Sequence, residues 1–377
     1  MRIVQLTRDV PPAASGIGDH VARLSAELAR GGDEVVVVCS PPADAGTGID
    51  VRPVVRRWDR PGFDAIAAFV GQAKPDAIVW HYNPFQIGRR GVSLSAGRLA
   101  RALARIAPLT VVAHELWYPW GRGGLRGLVW AIAQRVQFRG VAAAARAIVA
   151  TTEARRSLLA KRYPATPVSV VAAGATVDPH PDAPGRTAVR ASLRIPASAF
   201  VVAHLGAIGE GRDLVPALAA IRRLRGEGID VRLLLAGRTG IAAPQAEGVH
   251  ATGPLDHAQL SGALAAADCY LFAEPTGPVA RKTSLLSALA HHLPVVAYTG
   301  SATEAFFRDA YNLLLVDPSE DRIADAFRRL AVDAPLRERI GEAGATLAAE
   351  RFSWTAIAAG IRAAAVAESE DSRKTIA

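Results

Sequence analysis

Short, mostly apolar runs recur along the chain and alternate with longer stretches that carry polar residues at helical spacing. In the first half the apolar runs lie at residues 2–6, 34–39, 77–80, 110–113 and 147–150. A strand without polar alternation is typical of a parallel sheet that is covered on both faces. The pattern therefore predicts an α/β fold in which strands and helices alternate.

A second series of the same kind begins at residue 200, with predicted strands at 200–205, 231–236, 269–273, 293–297 and 313–316. Residues 173–186 between the two series are rich in Pro, Gly and Asp and have no periodicity, which indicates a linker. The prediction is two Rossmann-like, doubly wound domains, residues 1–172 and 187–365, that face each other across a cleft. Residues 366–377 are predicted to form a polar tail.

Length and composition agree with a two-domain globular protein, since 377 residues exceed one ordinary core and only 21% of them are charged. Cys39 and Cys269 lie in separate apolar runs, which favours buried thiols in a reducing compartment over a disulfide framework. No signal peptide and no apolar run long enough to span a membrane is evident, so we expect a cytoplasmic protein.

Positive charge is concentrated in the first 180 residues, whose net charge is +10, against −1 for the remainder. Such asymmetry favours an anionic partner for the first domain, although a merely solvated Arg-rich surface remains an alternative. A nucleic acid is not expected, because no recognition helix, zinc motif or RNA-binding motif is present.

Residues 117–140 suggest what the anionic partner is. Apolar residues recur there at helical spacing, namely Leu125, Leu128, Val129, Ile132 and Val136. They are flanked by Arg122, Arg126, Arg135 and Arg139 and by the aromatics Trp117, Tyr118, Trp120 and Trp130. Arginines and aromatic rings are enriched at lipid interfaces, so we predict association with the anionic surface of a membrane. The apolar stripe itself is expected to pack on the sheet, leaving the arginines and aromatics for the lipid.

Polar residues follow the predicted strands of the first domain. The stretch "PPAASGIGDH" (11–20) carries Gly16 and Gly18 ahead of a helix whose N-terminus favours a phosphate, although a plain turn is equally common. It lacks the G-x-G-x-x-G pattern of dinucleotide-binding proteins. His81 and His114 end two strands and can serve a sugar hydroxyl or a proton transfer. His81, Glu115 and Trp117 are predicted on the acceptor side.

The second domain repeats the arrangement. "HLGAIGEGRDL" (204–214) places Gly206 and Arg212 after a strand, and "LLLAGR" places Gly237 and Arg238 after the next one. A guanidinium in such a place can grip a phosphate, or it can pair with a local acid. No D-x-D, H-E-x-x-H or His/Cys motif is present, so neither a metal nor another cofactor is expected.

Six stretches in the same order resemble the GT-B-fold glycosyltransferases of the large retaining family 4, over about residues 1–365. They are "SGIGDHVARLSAELARGGDEVVVV", "VVAHE", "VVAAGATVD", "HATGPLDHAQLSGALAAADCYLF", "SALAHHLPVVAYTGSATEAFFRDAYNLLLVDP" and "RFSWTAIA". The resemblance implies a nucleotide-sugar donor held mainly by the second domain, and an acceptor at the first. It implies that Gly16 and Gly18 lie near the donor phosphates, that His114 is the active-site histidine and that Arg212 contacts the diphosphate.

One stretch departs from the family. Its two glutamates, eight positions apart, would fall at Val279 and Ser287 in "VARKTSLLS", which leaves Glu274 as the nearest acid. The stretch still offers the diphosphate a side-chain cation and a helix N-terminus, so that leaving-group stabilisation can persist. The donor-binding residues predicted here are Glu274, Lys282, Thr283, Ser284 and Ser287, with Ser287 offering its hydroxyl to the ribose.

The favoured function is transfer of a hexose from a nucleoside-diphosphate sugar, without a metal and with retention, in the biosynthesis of a polysaccharide, a glycolipid or a glycosylated metabolite. The catalytic residues predicted for it are His114, Arg212 and Lys282. A lipid-linked or other sugar-containing molecule is the expected acceptor. Three alternatives remain: a sugar-nucleotide isomerase or hydrolase, a non-catalytic nucleotide-sugar-binding protein, and a dehydrogenase, which the missing dinucleotide pattern disfavours.

Overall fold

The computed structural model describes residues 1–13, 15–43, 48–88, 91–209 and 211–366. The chain divides into two compact units. The first comprises Met1–Ala172 together with the segment from Trp354 onward, and the second comprises Ala173–Ser353. Beyond Val366, the predicted polar tail lies outside the described residues.

The first unit is built on a seven-stranded sheet whose strands all run parallel. In chain order the strands are β1 (Arg2–Leu6), β2 (Glu34–Val38), β3 (Asp50–Arg52), β4 (Ala77–Tyr82), β5 (Leu109–Ala113), β6 (Ala147–Ala150) and β7 (Val168–Val170). Their order across the sheet is β3-β2-β1-β4-β5-β6-β7, so the direction of winding reverses between β1 and β4. Ligands of open α/β sheets bind beyond the carboxyl ends of the strands at such a reversal.

Helices cover both faces of this sheet. They are α1 (Gly16–Arg30), α2 (Arg60–Ala73), a short 3-10 helix (Pro84–Gln86), α3 (Ala96–Ala104), α4 (Gly124–Ala142) and α5 (Glu153–Arg162). One apolar core joins the sheet to α2, α3, α4 and α5, and a second core joins the opposite face to α1 and to a helix from the end of the chain. Both faces of the central strands are therefore buried, which explains their unbroken runs of Val, Ile and Ala.

The second unit has a six-stranded parallel sheet in the order β10-β9-β8-β11-β12-β13. Its strands are β8 (Phe200–Leu205), β9 (Val231–Ala236), β10 (Val249–Ala251), β11 (Cys269–Phe272), β12 (Val295–Tyr298) and β13 (Leu314–Val316). Its helices are α6 (Arg186–Ser192), α7 (Val215–Gly226), α8 (His257–Ala265), α9 (Thr283–Ala290), α10 (Glu320–Val332) and α11 (Ala334–Arg351). The winding of this sheet reverses between β8 and β11. The predicted fold class, two Rossmann-like units with parallel sheets, is confirmed.

The last described helix, α12 (Trp354–Val366), packs on the first unit. Its residues Ile357 and Ile361 are buried in the core beside α1, and the Thr110 hydroxyl on β5 donates to the Ala364 carbonyl at 3.3 Å. Arg362 forms an ion pair with the buried Asp33 at 3.2 Å. The predicted second domain, 187–365, is therefore too long at its carboxyl end, because α12 fills an apolar face of the first sheet.

The predicted linker, 173–186, belongs to the second unit and is fixed to it by hydrogen bonds. The Val177 amide donates to the Ser287 hydroxyl at 3.0 Å, and the His180 amide donates to Ser261 at 3.0 Å. Prolines and glycines here shape an ordered segment, since polar side chains of α8 and α9 satisfy its backbone.

Helix α4 turns the apolar stripe of residues 125–136 outward, contrary to the expectation that the stripe packs on the sheet. Leu125 is 83% exposed and Val129 is 62% exposed. The buried face instead carries Gln134 and Gln137, whose amides bind loop backbone: Gln134 Oε1 accepts from Tyr118 N at 2.6 Å, and Gln137 Oε1 accepts from the Ser93 amide. Loop anchoring decides which face of α4 is buried. In the described part of the chain, no helix is long and apolar enough to cross a membrane.

Candidate functional site

Three histidines meet at the carboxyl edge of the first sheet, where its winding reverses. His81 lies on β4, His114 directly follows β5, and His20 lies on α1. His81 Nδ1 is 3.0 Å from His114 Nε2, and the His20 ring packs edge-on against both neighbours, with centroid distances of 5.2 Å to His114 and 5.8 Å to His81. We call these three residues the histidine cluster. The sequence predicted roles for His81 and His114, but it gave none to His20.

Burial keeps the histidine cluster neutral. Desolvation lowers the pKa of His20 to about 4, and it lowers the pKa of His81 and of His114 well below the ordinary value, with the neighbouring cluster rings adding to the effect. The charge of Arg155 lowers the pKa of His114 further. At neutral pH the cluster therefore presents imidazole rings, each with one protonated and one bare nitrogen.

The backbone after β5 is clamped by Arg155 of α5. Its guanidinium donates to the His114 carbonyl, to Thr151 Oγ1 at 3.2 Å and to Glu115 Oε2 at 2.6 Å. Glu115, predicted on the acceptor side, thus forms an ion pair that holds the His114 backbone in place. Trp117 packs edge-on against buried Phe138, with ring centroids 5.7 Å apart, and Arg135 lies over its ring at 5.0 Å. Both residues thus stabilise the loop that follows His114.

The predicted glycine loop lies at the same edge. Gly16 is the exposed first residue of α1, and the Gly18 amide donates to the Ser15 side chain at 3.2 Å, which caps the helix. A Cβ on Gly18 would lie 2.8 Å from the Asp9 carbonyl oxygen. Glycine at 18 therefore allows α1 to approach the loop after β1, and this brings His20 to the cluster.

In the second unit, two cations meet on one buried carboxylate. Glu274, which follows β11, is 3% exposed. Lys282 Nζ forms a close ion pair with its Oε2, and Arg212 Nε lies 3.5 Å from its Oε1. Arg212 also donates to the Ala207 carbonyl at 2.5 Å. The Glu274 ion cluster, as we call these three residues, lies where β8 and β11 end, at the reversal of the second sheet, and it carries a net charge of +1.

Helix α9 starts at this cluster. Lys282 is its N-cap residue, and no side chain caps the amides of the first turn of α9. Thr283 and Ser284 occupy the first two helical positions, half-buried, and the Ser284 side chain hydrogen-bonds Tyr270 of β11. A helix N-terminus beside Arg212 and Lys282 is an arrangement that suits an anion.

Ser287 is completely buried, one turn further along α9. Its hydroxyl donates to the Thr283 carbonyl at 2.8 Å and accepts from the Val177 amide at 3.0 Å. Val279, the other position where the family carries a glutamate, is 5% exposed. The Ser287 hydroxyl thus fixes the segment before α6, a structural role that the sequence did not indicate.

The remaining predicted donor residues follow β8 and β9. Gly206 and Gly237 both have positive φ, 88° and 85°, which suits glycine at these two strand ends. The Gly237 amide donates to Thr252 Oγ1 at 2.9 Å. Arg238 is exposed, and its side chain forms no ion pair with the residues that the structure describes. The structure therefore brings Arg212, Glu274 and Lys282 into contact but leaves Arg238 apart.

Comparisons with known proteins agree with the two-unit structure. Residues 15–174 match the model of a glycosyl transferase 4-like domain, and residues 199–333 match that of glycosyl transferases group 1. No curated protein matches the chain by sequence.

Solved structures share the fold at low sequence identity. The Anabaena Alr3699/HepE complex with UDP and glucose superposes with a TM-score of 0.65 at 15% identity, covering 96% of this chain and 98% of that one. A Rickettsia africae glycosyltransferase gives 0.67 at 12% identity, with 95% and 96% covered. WaaG, a glycosyltransferase involved in lipopolysaccharide biosynthesis, gives 0.64 at 15% identity, with 97% and 100% covered. The chain therefore carries a glycosyl transferase 4-like domain followed by a glycosyl transferases group 1 domain, in a fold that these glycosyltransferase structures share.

Proposed function

We propose that the protein is a retaining glycosyltransferase that moves a hexose from a nucleoside-diphosphate sugar to an acceptor. The observation that carries the proposal is the Glu274 ion cluster, where Arg212 and Lys282 stand beside the uncapped N-terminus of α9. Cationic side chains and uncapped helix amides are groups that bind the oxygens of a diphosphate. The Anabaena neighbour in complex with UDP and glucose supports a donor of this class.

The same groups account for the chemistry without a metal. When the glycosidic bond of the donor breaks, negative charge develops on the departing diphosphate, and Arg212, Lys282 and the α9 amides stabilise it. His114, at the edge of the first sheet, contacts a sugar hydroxyl of a substrate and orients it. Metal ions are thus not required, and a chelator is expected to leave the activity intact.

The test is a panel of nucleotide sugars, with nucleoside diphosphate release measured with and without a lipid extract. Release that requires the extract supports transfer, and the anomeric configuration of the product, read by NMR, decides on retention. Release without any acceptor indicates a hydrolase, and binding without release indicates a non-catalytic protein.

We propose further that the acceptor is lipid-linked and that the first unit binds the cytoplasmic face of an anionic membrane through α4. The support is the exposed apolar stripe of that helix, and in particular Leu125, Val129 and Val136, which are 83%, 62% and 57% exposed. Trp120 is 54% exposed and stacks on Arg135 at 3.9 Å, so an aromatic ring and a cation lie beside the stripe. Apolar residues that enter the lipid, flanked by arginines for its phosphates, suit an interfacial helix.

Vesicle sedimentation tests this surface. Each arginine near an anionic leaflet contributes about 1 kcal/mol, so binding to vesicles with phosphatidylglycerol should exceed binding to neutral ones and weaken with salt. Val129→Glu should abolish the binding, because it places a charge in the centre of the stripe. Val332→Glu is the matched control, since Val332 is 75% exposed on α10 of the second unit. Equal binding to anionic and neutral vesicles at low salt would favour a soluble acceptor.

A further inference from the structure

A chain of hydrogen bonds runs from the interior of the first unit to His114. Ser25 on α1 contacts Gln5 on β1, Gln5 contacts His81 on β4, and His81 contacts His114 after β5. Ser25, Gln5 and His81 are almost completely buried, at 0%, 0% and 1% exposure. Water therefore has little access to these contacts, and the protein itself decides which atom donates in each of them.

The first two bonds fix the orientation of the Gln5 amide. Ser25 Oγ has one proton and donates it to the Val21 carbonyl at 2.7 Å. The oxygen is then left as an acceptor, and Gln5 Nε2 donates to it at 2.7 Å. Gln5 Oε1 consequently faces His81, and an amide oxygen can only accept.

The next two bonds fix the tautomers. His81 Nε2 lies 2.7 Å from Gln5 Oε1 and must carry the proton that is donated. Burial lowers the pKa of His81 well below its ordinary value, so the ring is neutral and its Nδ1 is bare. That bare nitrogen accepts from His114 Nε2 at 3.0 Å. His114 is itself neutral, and its second nitrogen, Nδ1, is left without a proton.

We propose that Ser25, Gln5 and His81 are positioning residues which hold His114 in the tautomer with a bare Nδ1, so that His114 accepts a hydrogen bond from a substrate hydroxyl. This inference rests on the proposed function. It specifies which atom of His114 acts and in which direction, and it gives a role to the buried polar residues Gln5 and Ser25. A sugar hydroxyl held in this way is oriented through its proton.

The three rings of the histidine cluster also offer a set of ligands for a metal ion. Ligand nitrogens of His20, His81 and His114 lie within 4.8 Å of one another, and the Gln5 contact resembles the outer hydrogen bond that orients metal-binding histidines. An ion on His81 Nδ1 and His114 Nε2 would take the place of the proton that they share. It would thereby move the His114 proton to Nδ1. The hydrogen bond observed between the two nitrogens favours the relay, and metal binding is the competing outcome of the test.

The experiment is NMR of the full chain with ¹⁵N-labelled histidine at neutral pH, before and after addition of Zn²⁺, with signals assigned from single His→Gln variants. We expect His81 and His114 both as Nε2–H tautomers in chelator-treated protein, unchanged by one equivalent of Zn²⁺. A proton on His114 Nδ1 would overturn the proposal, as would stoichiometric Zn²⁺ binding that replaces the His114 Nε2–H signal by an Nδ1–H signal while the His81 Nε2–H signal remains. Neither readout depends on catalysis, so a failed relay is distinguishable from a failed transferase.

Kinetics provides the second arm. Gln5→Leu removes the acceptor that selects the His81 tautomer, and we expect kcat to fall about 10-fold, the equivalent of one hydrogen bond, while the affinity for UDP stays the same. His20→Gln is the matched control: His20 touches the other rings but is not a link of the relay, so the His114 tautomer should persist. An unchanged kcat in a folded Gln5→Leu protein would overturn the proposal, and the wild-type NMR result decides the matter if that variant does not fold.

Discussion

Removing the charge of Lys282 should separate two roles that this residue combines. Its ammonium neutralises the buried Glu274, and we propose that it also binds the donor diphosphate. Lys282→Met preserves most of the side-chain length while it removes the charge. The carboxylate is then left with Arg212 alone, whose Nε is 3.5 Å away.

The structure sets the size of each effect. Loss of one partner from a fully buried ion pair costs about 3–5 kcal/mol of folding free energy. Here Lys282 is 27% exposed and Arg212 still compensates the carboxylate, so we expect the unfolding free energy to fall by roughly 2 kcal/mol. A charge-assisted hydrogen bond to phosphate contributes about 1.5–3 kcal/mol, so nucleoside diphosphate binding should weaken by about 10- to 100-fold.

A second substitution, Glu274→Gln, distinguishes the two effects. The double variant Lys282→Met/Glu274→Gln removes the nearly completely buried carboxylate that Lys282→Met leaves with one cation, so its stability should return toward that of the wild type while binding stays weak. Glu274→Gln alone should tighten binding, because the carboxylate no longer competes with phosphate for the ammonium. Urea unfolding measures the stability, and calorimetry with UDP, GDP and ADP measures the binding. If Lys282→Met loses stability but binds all three as the wild type does, Lys282 only neutralises Glu274 and the diphosphate assignment is wrong.

Three further predictions concern the first unit. The lowered pKa values of the histidine cluster make the unfolded state bind more protons below pH 6.5, so urea unfolding should show a loss of roughly 1–2 kcal/mol per cluster histidine between pH 7 and pH 5. His20→Gln should remove its share of that slope, and an unaltered slope would contradict the assignment. Gly18→Ala should lower the free energy of unfolding by about 1–3 kcal/mol in the same assay, because the added Cβ would lie 2.8 Å from the Asp9 carbonyl oxygen. An unchanged free energy of unfolding would show that the loop after β1 shifts to accommodate the methyl group at little cost. Phe138→Ala should cost about 3–5 kcal/mol, since the ring is completely buried between α4 and the sheet, and a loss below 1 kcal/mol would place α4 outside the cooperative core.

Apolar runs were sufficient to predict the central strands, because a strand buried on both faces carries few polar residues. Three edge strands, β3, β7 and β10, were not predicted. They are three residues long, and none of their residues is fully buried. A half-exposed triplet carries no pattern that separates it from a loop.

Helix α4 shows where periodicity misleads. Its spacing of Leu, Val and Ile indicates a helix correctly, yet the side that is buried carries Gly127, Ala131, Gln134 and Gln137. Which side packs depends on the backbone groups of residues 91–93 and 118, which need partners once the chain is folded. Such a requirement is set by tertiary structure, and a single sequence does not show it.

The sequence predicted those residues of the candidate site that directly follow a strand, but not those that tertiary structure brings to it. Residues that end strands, such as His114 and Glu274, are marked by their position after an apolar run. His20 lies on a helix, where a polar residue is usually interpreted as part of the exposed face. Gln5 lies inside a strand, where a single polar residue indicates no function by itself. Only the pairing of β1 with β4 brings Gln5 beside His81, and only the close approach of α1 at Gly18 adds His20.

The return of α12 to the first unit has a consequence for how the protein is made. During synthesis, Met1–Ala172 leaves the ribosome without the helix that covers Val79, Val112 and Val149, whereas Ala173–Ser353 emerges as one continuous stretch. At about 5–20 residues per second, the apolar face of the nascent first unit stays uncovered for roughly ten to forty seconds. The unit translated second is therefore the first that can complete its fold. A chaperone that shields exposed apolar surface would find its target in the amino-terminal half of the nascent chain, and it would release that half once Trp354–Val366 has been translated.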